Sequence, residues 1–198
     1  MIKKNRAAAI CKSRRHLAMQ TTRDKTQWIG DGQAMYILAG IEPMSAEGVA
    51  SMFDYTEKDR NNITFTNLEA PETLYADNGA DVHIDDAPTR VIIQKAEYLI
   101  FQTGDRLIFI DGKYLTPIVG DAQTTYHIRS FPDGTYILCV KKGLLLEAVI
   151  IGEHLESDLL RDWADEMGLL FSTIQSKYIA RRPIEDQYCE QLELEEET

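Results

Sequence analysis

From residue 90 to residue 151 the chain runs in short apolar stretches broken by turn residues. The stretches are 90–93, 98–103, 107–110, 114–118, 125–129, 136–141 and 144–151. Each is rich in β-branched, aromatic or leucine side chains, which predicts strands. Gly104-Asp105, Asp111-Gly112, Pro132-Asp133-Gly134 and Lys142-Gly143 lie between them, where hairpin turns belong. The first seventy residues read differently. Residues 2–15 are Ala-rich and free of Gly and Pro, with Ile2, Arg6, Ala9 and Ile10 on one face, and predict a helix. An extended segment follows at 17–21, a turn at 23–26, and a strand at 27–38 interrupted by Gly30-Asp31-Gly32. Ser45 is placed to cap a short helix to Phe53, with Glu47 in its first turn. Residues 62–68 predict one more strand.

Residues 71–89 are poor in large apolar side chains and rich in Asp, Asn, Gly and Pro, so they predict a linker or loop. Beyond the strands, Leu155, Leu159, Trp163, Met167, Leu170 and Ile174 recur at helical spacing, which predicts an amphipathic helix over 155–180. Seven acids fall among residues 185–198, so 181–198 is expected to be an acidic tail. The expected organisation is an N-terminal half over 1–70, the linker over 71–89, a β-rich half over 90–154, the helix and the tail. The fold class is α/β of the α+β type, built on antiparallel β-rich sheets.

An internal repeat sharpens that picture. At an offset of 82, residues 16–21 match 98–103 at Leu17/Leu99, Gln20/Gln102 and Thr21/Thr103. At an offset of 80, residues 27–40 match 107–120 at Asp31/Asp111, Gly32/Gly112 and Gly40/Gly120. The expectation is a duplicated module of strand, turn, strand, Asp-Gly, strand.

Charge changes the picture more than composition does. The 198 residues carry a net charge of −11, with 44% hydrophobic and 27% charged residues, ordinary for a chain with a real core. Residues 1–16 hold Lys3, Lys4, Arg6, Lys12, Arg14 and Arg15 and no acid, a charge of +6, which leaves −17 on the other 182. A uniformly acidic surface repels nucleic acid and anionic membrane; a segregated basic helix does not. No apolar run reaches the roughly 20 residues of a membrane span. Cys11, Cys139 and Cys189 are widely spaced and form neither a disulfide framework nor a zinc knuckle, so a reducing, cytoplasmic setting is expected.

Candidate chemistry is sparse. Asp81, His83 and Asp85 fall on one side of an extended segment, and carboxylate with imidazole suits several divalent ions. A solvated acidic loop explains the same string. No nucleophile elbow, zinc-protease motif or phosphate loop is present. Cys139 sits within an apolar strand and reads as a small core residue. Strand aromatics such as Trp28, Tyr36 and Tyr114 read as packing.

The order of helix 2–15, strands 17–21 and 27–40 and helix 45–53 resembles half of a DNA sliding-clamp domain. The apolar run from Gly143 to Ile151 is similar to the closing hairpin of bacterial clamps. The resemblance implies an acidic protein that presents a basic helix to DNA. It departs in length, in a second copy without a clear basic helix, and in residues 155–198, which have no clamp counterpart.

The function expected is a non-enzymatic binding protein without cofactor, a clamp-like accessory factor of DNA metabolism or of a mobile element. Lys3, Lys4, Arg6, Lys12, Arg14 and Arg15 would contact nucleic-acid phosphates, and a protein partner or self-association is expected beside them. Two alternatives belong to other classes: a metal-dependent hydrolase using Asp81, His83 and Asp85, and a structural protein-binding module.

Overall fold

The computed structural model describes residues 2–84, 88–93, 95–103, 106–120, 122–152, and then 167, 169–170 and 172–173. The chain divides into two compact units, Met1–His154 and Leu155–Thr198. Within the second, the described residues are helical. The rest of the helix expected at 155–180, and the tail at 181–198, lie outside the described residues.

The first unit is a mixed, β-rich α+β fold. Helix α1 (Lys4–Arg14) leads into β1 (His16–Thr21), β2 (Gln27–Gly30) and β3 (Ala34–Ile37). Helices α2 (Ala46–Met52) and α3 (Glu57–Asn62) precede β4 (Thr64–Asn67). Then come β5 (Val82–Ile84), β6 (Thr89–Ile93), β7 (Ala96–Thr103), β8 (Arg106–Asp111), β9 (Thr124–Ser130), β10 (Tyr136–Lys142) and β11 (Leu145–Ile151). Eight strands form one sheet in the order β4-β1-β2-β3-β11-β10-β9-β5; β6, β7 and β8 form a second. All neighbours are antiparallel except β1 and β4.

Period-two alternation gives the large sheet two apolar faces. Leu17, Met19, Ile29, Tyr36, Leu138, Val140 and Ile150 pack with α1, α2 and the inner face of the small sheet. Ala18, Trp28, Met35, Ile137, Cys139 and Val149 point the other way, under a strap formed by residues 68–81. The result is three layers, with the large sheet in the middle.

Several expectations are corrected. The face of α1 that packs is Ala7, Ala8, Ile10 and Cys11, whereas Arg6 and Ala9 are exposed. Alanine is too small to mark a face in sequence, and small side chains let α1 approach the sheet closely. The strand expected at 114–118 is a 3₁₀ turn, Gly112–Leu115, started by Asp111, whose side chain accepts from Lys113 N–H. The second copy therefore lacks the module's third strand. Both hairpins form, β1–β2 and β7–β8, but in different sheets. Their registers also differ by one residue. Leu17 lies two positions beyond the Met19↔Ile29 pair, while Leu99 pairs with Ile110. What the copies share is local: Asp31 and Asp111 each accept the N–H two residues on.

The 71–89 segment contains a 3₁₀ turn at Glu72–Leu74, the buried Tyr75, and β5 paired to β9. Nor do the strands of 1–70 and 90–154 form separate halves, because β3 pairs with β11 in the middle of the large sheet.

Candidate functional site

Helix α1 is held at both ends and along its packed face. Lys3 N–H donates to Pro117 C=O at 2.6 Å, Thr64 N–H to Arg15 C=O at 2.9 Å, and the Tyr55 hydroxyl to Ala8 C=O at 2.8 Å. Four of its five apolar residues are spent on the core, and its cations face outward: Lys3, Lys4, Arg6, Lys12, Arg14 and Arg15 are all exposed. Lys12 pairs with Asp59 at 2.7 Å, a hydrogen bond that leads in holding the Asp59 carboxyl below its ordinary pKa. Arg14 approaches Asp31 at 3.6 Å. Lys3, Lys4, Arg6 and Arg15 have no acidic partner among the described residues.

The placement is unfavourable for the helix itself. Lys3 and Lys4 stand at its N-terminus, where the macrodipole is positive; the first turn has no acid and Lys3 makes no side-chain cap. Lys12 and Arg14 in the last turn are electrostatically favourable.

The metal candidates are dispersed. The Asp81 side chain is fully buried, and its carboxylate is gripped bidentately by Arg129, at 2.7 Å from Nε and 2.8 Å from Nη2, while Lys141 Nζ lies at 2.9 Å. Burial acts to raise the Asp81 pKa, but the hydrogen bonds and charges of Arg129 and Lys141 prevail and hold it below the usual carboxylate range. Arg129 spends its other N–H groups on Thr73, Leu74 and Ala76 carbonyls, and Lys141 also bonds Asp77, so the strap is riveted to the sheet. His83 instead lies beside His127 across the β5–β9 ladder, ring centroids 4.8 Å apart and planes tilted by 48°. Burial, Lys141 and His83 lower the His127 pKa, and the same Lys141 charge opposes a metal cation there. Asp85 lies outside the described residues. Among the described residues no group of three or more His, Cys, Asp or Glu is placed to hold a metal ion. The sequence held a partial signal for the rivet: Lys141 directly follows the apolar run 136–140, whereas Arg129 stands in a largely polar strand and is unmarked.

A second buried polar cluster fixes the β2–β3 turn. Asp31 Oδ1 accepts from Gln33 and Ala34 N–H, and Oδ2 accepts from the Tyr114 hydroxyl at 3.0 Å. Burial first, then Asp31, pushes the Tyr114 pKa up, which keeps it a neutral donor. This is scaffolding beneath α1. Cys139 is buried with its thiol pKa pushed up to about 11, chiefly by burial, so it is a poor nucleophile.

Sequence reading missed an apolar surface at the tip of the β10–β11 hairpin, where Leu144 and Leu145 project beside two hollows. Among the described residues no helix is long and apolar enough to cross a membrane. Compared with known proteins, the chain matches no family model, no curated protein and no solved structure.

Proposed function

We propose that this is a non-enzymatic binding protein that holds nucleic-acid phosphates against the outer face of α1. The observation that carries the reading is the exposure of all six cations of residues 3–15, four of them without an acidic partner among the described residues. Two of those four stand where the helix dipole disfavours them, at about 0.3–1 kcal/mol each. A helix arranged for stability alone would carry acids there. Phosphate contact of this kind is independent of sequence and sensitive to salt. A basic helix on an acidic body is also what the clamp resemblance implies, so the finer reading is a clamp-like accessory factor of DNA metabolism or of a mobile element. The hydrolase alternative loses its ligand set, because Asp81 is committed to Arg129 and Lys141.

Anisotropy of a labelled duplex and a labelled single strand tests the reading. Wild type is expected to bind at low salt, and Lys4→Glu with Arg6→Glu to abolish binding without loss of fold. Absence of wild-type binding at low salt to either probe overturns it.

A further inference from the structure

The β10–β11 hairpin closes through Gly143 and Leu144, with Gly143 at φ 60° in the first central position, as a type II′ turn requires. The second central position takes a polar residue readily, yet here it is leucine. Leu144 is 85% exposed and the adjoining Leu145 69%. Folding gains nothing from apolar side chains so placed.

Two adjoining hollows flank this tip. One, about 520 Å³, lies between the 39–43 loop and β11, with Ile41 and Pro43 in its wall. The other, about 470 Å³, lies between the β1–β2 turn, the strap and the tip, and is lined by Trp28 and Tyr75. Their ring centroids lie 5.0 Å apart with the planes tilted by 37°, and the Trp28 indole N–H and Tyr75 hydroxyl find no hydrogen-bond partner among the described residues. Leu145 walls both hollows.

We propose that a second copy of this chain docks here about a two-fold axis, each Leu144-Leu145 tip seated in the other copy's hollows. A two-fold contact needs one patch that carries both a projection and its complement, and this patch has both. The charges make the same demand. Lys25 and Glu42 stand on the rim of the larger hollow, and neither has an ion partner among the described residues. A partner of one charge sign satisfies only one of them; a second copy lays Lys25 against Glu42 and Glu42 against Lys25. The inference concerns a different surface from α1 and does not rest on nucleic-acid binding.

Sedimentation equilibrium of the full chain over a dilution series tests it. Wild type is expected to show twice the 22.5 kDa chain mass and to fall to 22.5 kDa on dilution. Leu144→Asp with Leu145→Asp is expected to weaken the dimer about a hundredfold. Lys25→Glu or Glu42→Lys alone is expected to weaken it about tenfold, and the double exchange to restore it. The exchange also reads the interface should the leucine variant fail to fold. Wild type that stays monomeric at every concentration, a leucine variant that dimerises undiminished, or an exchange that fails to restore association each overturns the proposal.

Discussion

Removing the Arg129 guanidinium would leave Asp81 buried beside Lys141 alone, and breaking a buried ion pair from one side costs about 3–5 kcal/mol. Arg129→Met is therefore expected to lower unfolding free energy by that order, measured by urea denaturation at neutral pH. The same contact sets a pH dependence. The folded Asp81 pKa lies below its ordinary 3.8, so folding favours the charged carboxylate. Its contribution is whole well above pH 4 and is lost as pH falls through the folded value. Asp81→Asn should flatten the acid limb of the stability profile. His127 acts at higher pH: its folded pKa lies below 6.5, the unfolded chain binds the extra proton, and stability rises with pH through that region. His127→Gln is expected to flatten the profile between about pH 5 and 7 and leave the acid limb alone. None of this was legible around Asp81 itself, where the acids and His83 read as a solvated loop or a metal string. Its partners lie 48 and 60 residues downstream (129 − 81 and 141 − 81), and spacing along the chain does not report such pairs.

Elements were legible where local rules decide them. Ser45 caps α2 through Gly48 N–H as expected, and β9, β10 and β11 fall within a residue or two of their apolar stretches. They were illegible where tertiary contact decides. Tyr114 and Ile118 look like strand residues, yet both reach the core from a turn, Tyr114 by hydrogen bonding to Asp31. Helix α3 has no apolar periodicity because none of its residues is buried. It is defined by a capping box between Thr56 and Asp59, a local signal the sequence did contain. Thr56→Ala should cost about 1 kcal/mol by thermal unfolding. Gly30 makes a sharper case. A Cβ there would sit 1.7 Å from Ala34 C=O, on backbone that cannot swing aside. Gly30→Ala is expected to cost roughly 3 kcal/mol or more and to disturb the β2–β3 turn that carries Asp31. Gly134→Ala, at φ 85° with open space around its Cβ, should cost about 1 kcal/mol.

At the scale of the whole molecule the charges are sorted, with +6 on residues 1–16 against −17 elsewhere. This feature was legible before any fold was known; which cations are already committed was not. Lys12 and Arg14 face Asp59 and Asp31, partners that only folding brings beside α1. The distinction has a measurable consequence. Each phosphate neutralised on duplex DNA contributes about −0.9 to the slope of log K against log salt. If only Lys3, Lys4, Arg6 and Arg15 meet phosphates, the slope should be about −3.6; if all six do, about −5.4. Lys4→Gln should reduce the slope by about 1, whereas Lys12→Gln should leave it nearly unchanged, because Lys12 is already paired. Lys12→Gln should instead release Asp59 from the pairing that depresses its pKa. Titrating duplex binding at several salt concentrations for the three proteins distinguishes these outcomes. Equal slope changes for Lys4→Gln and Lys12→Gln would show the Asp59 contact giving way to phosphate. A slope near zero in wild type would remove nucleic acid as the ligand of α1.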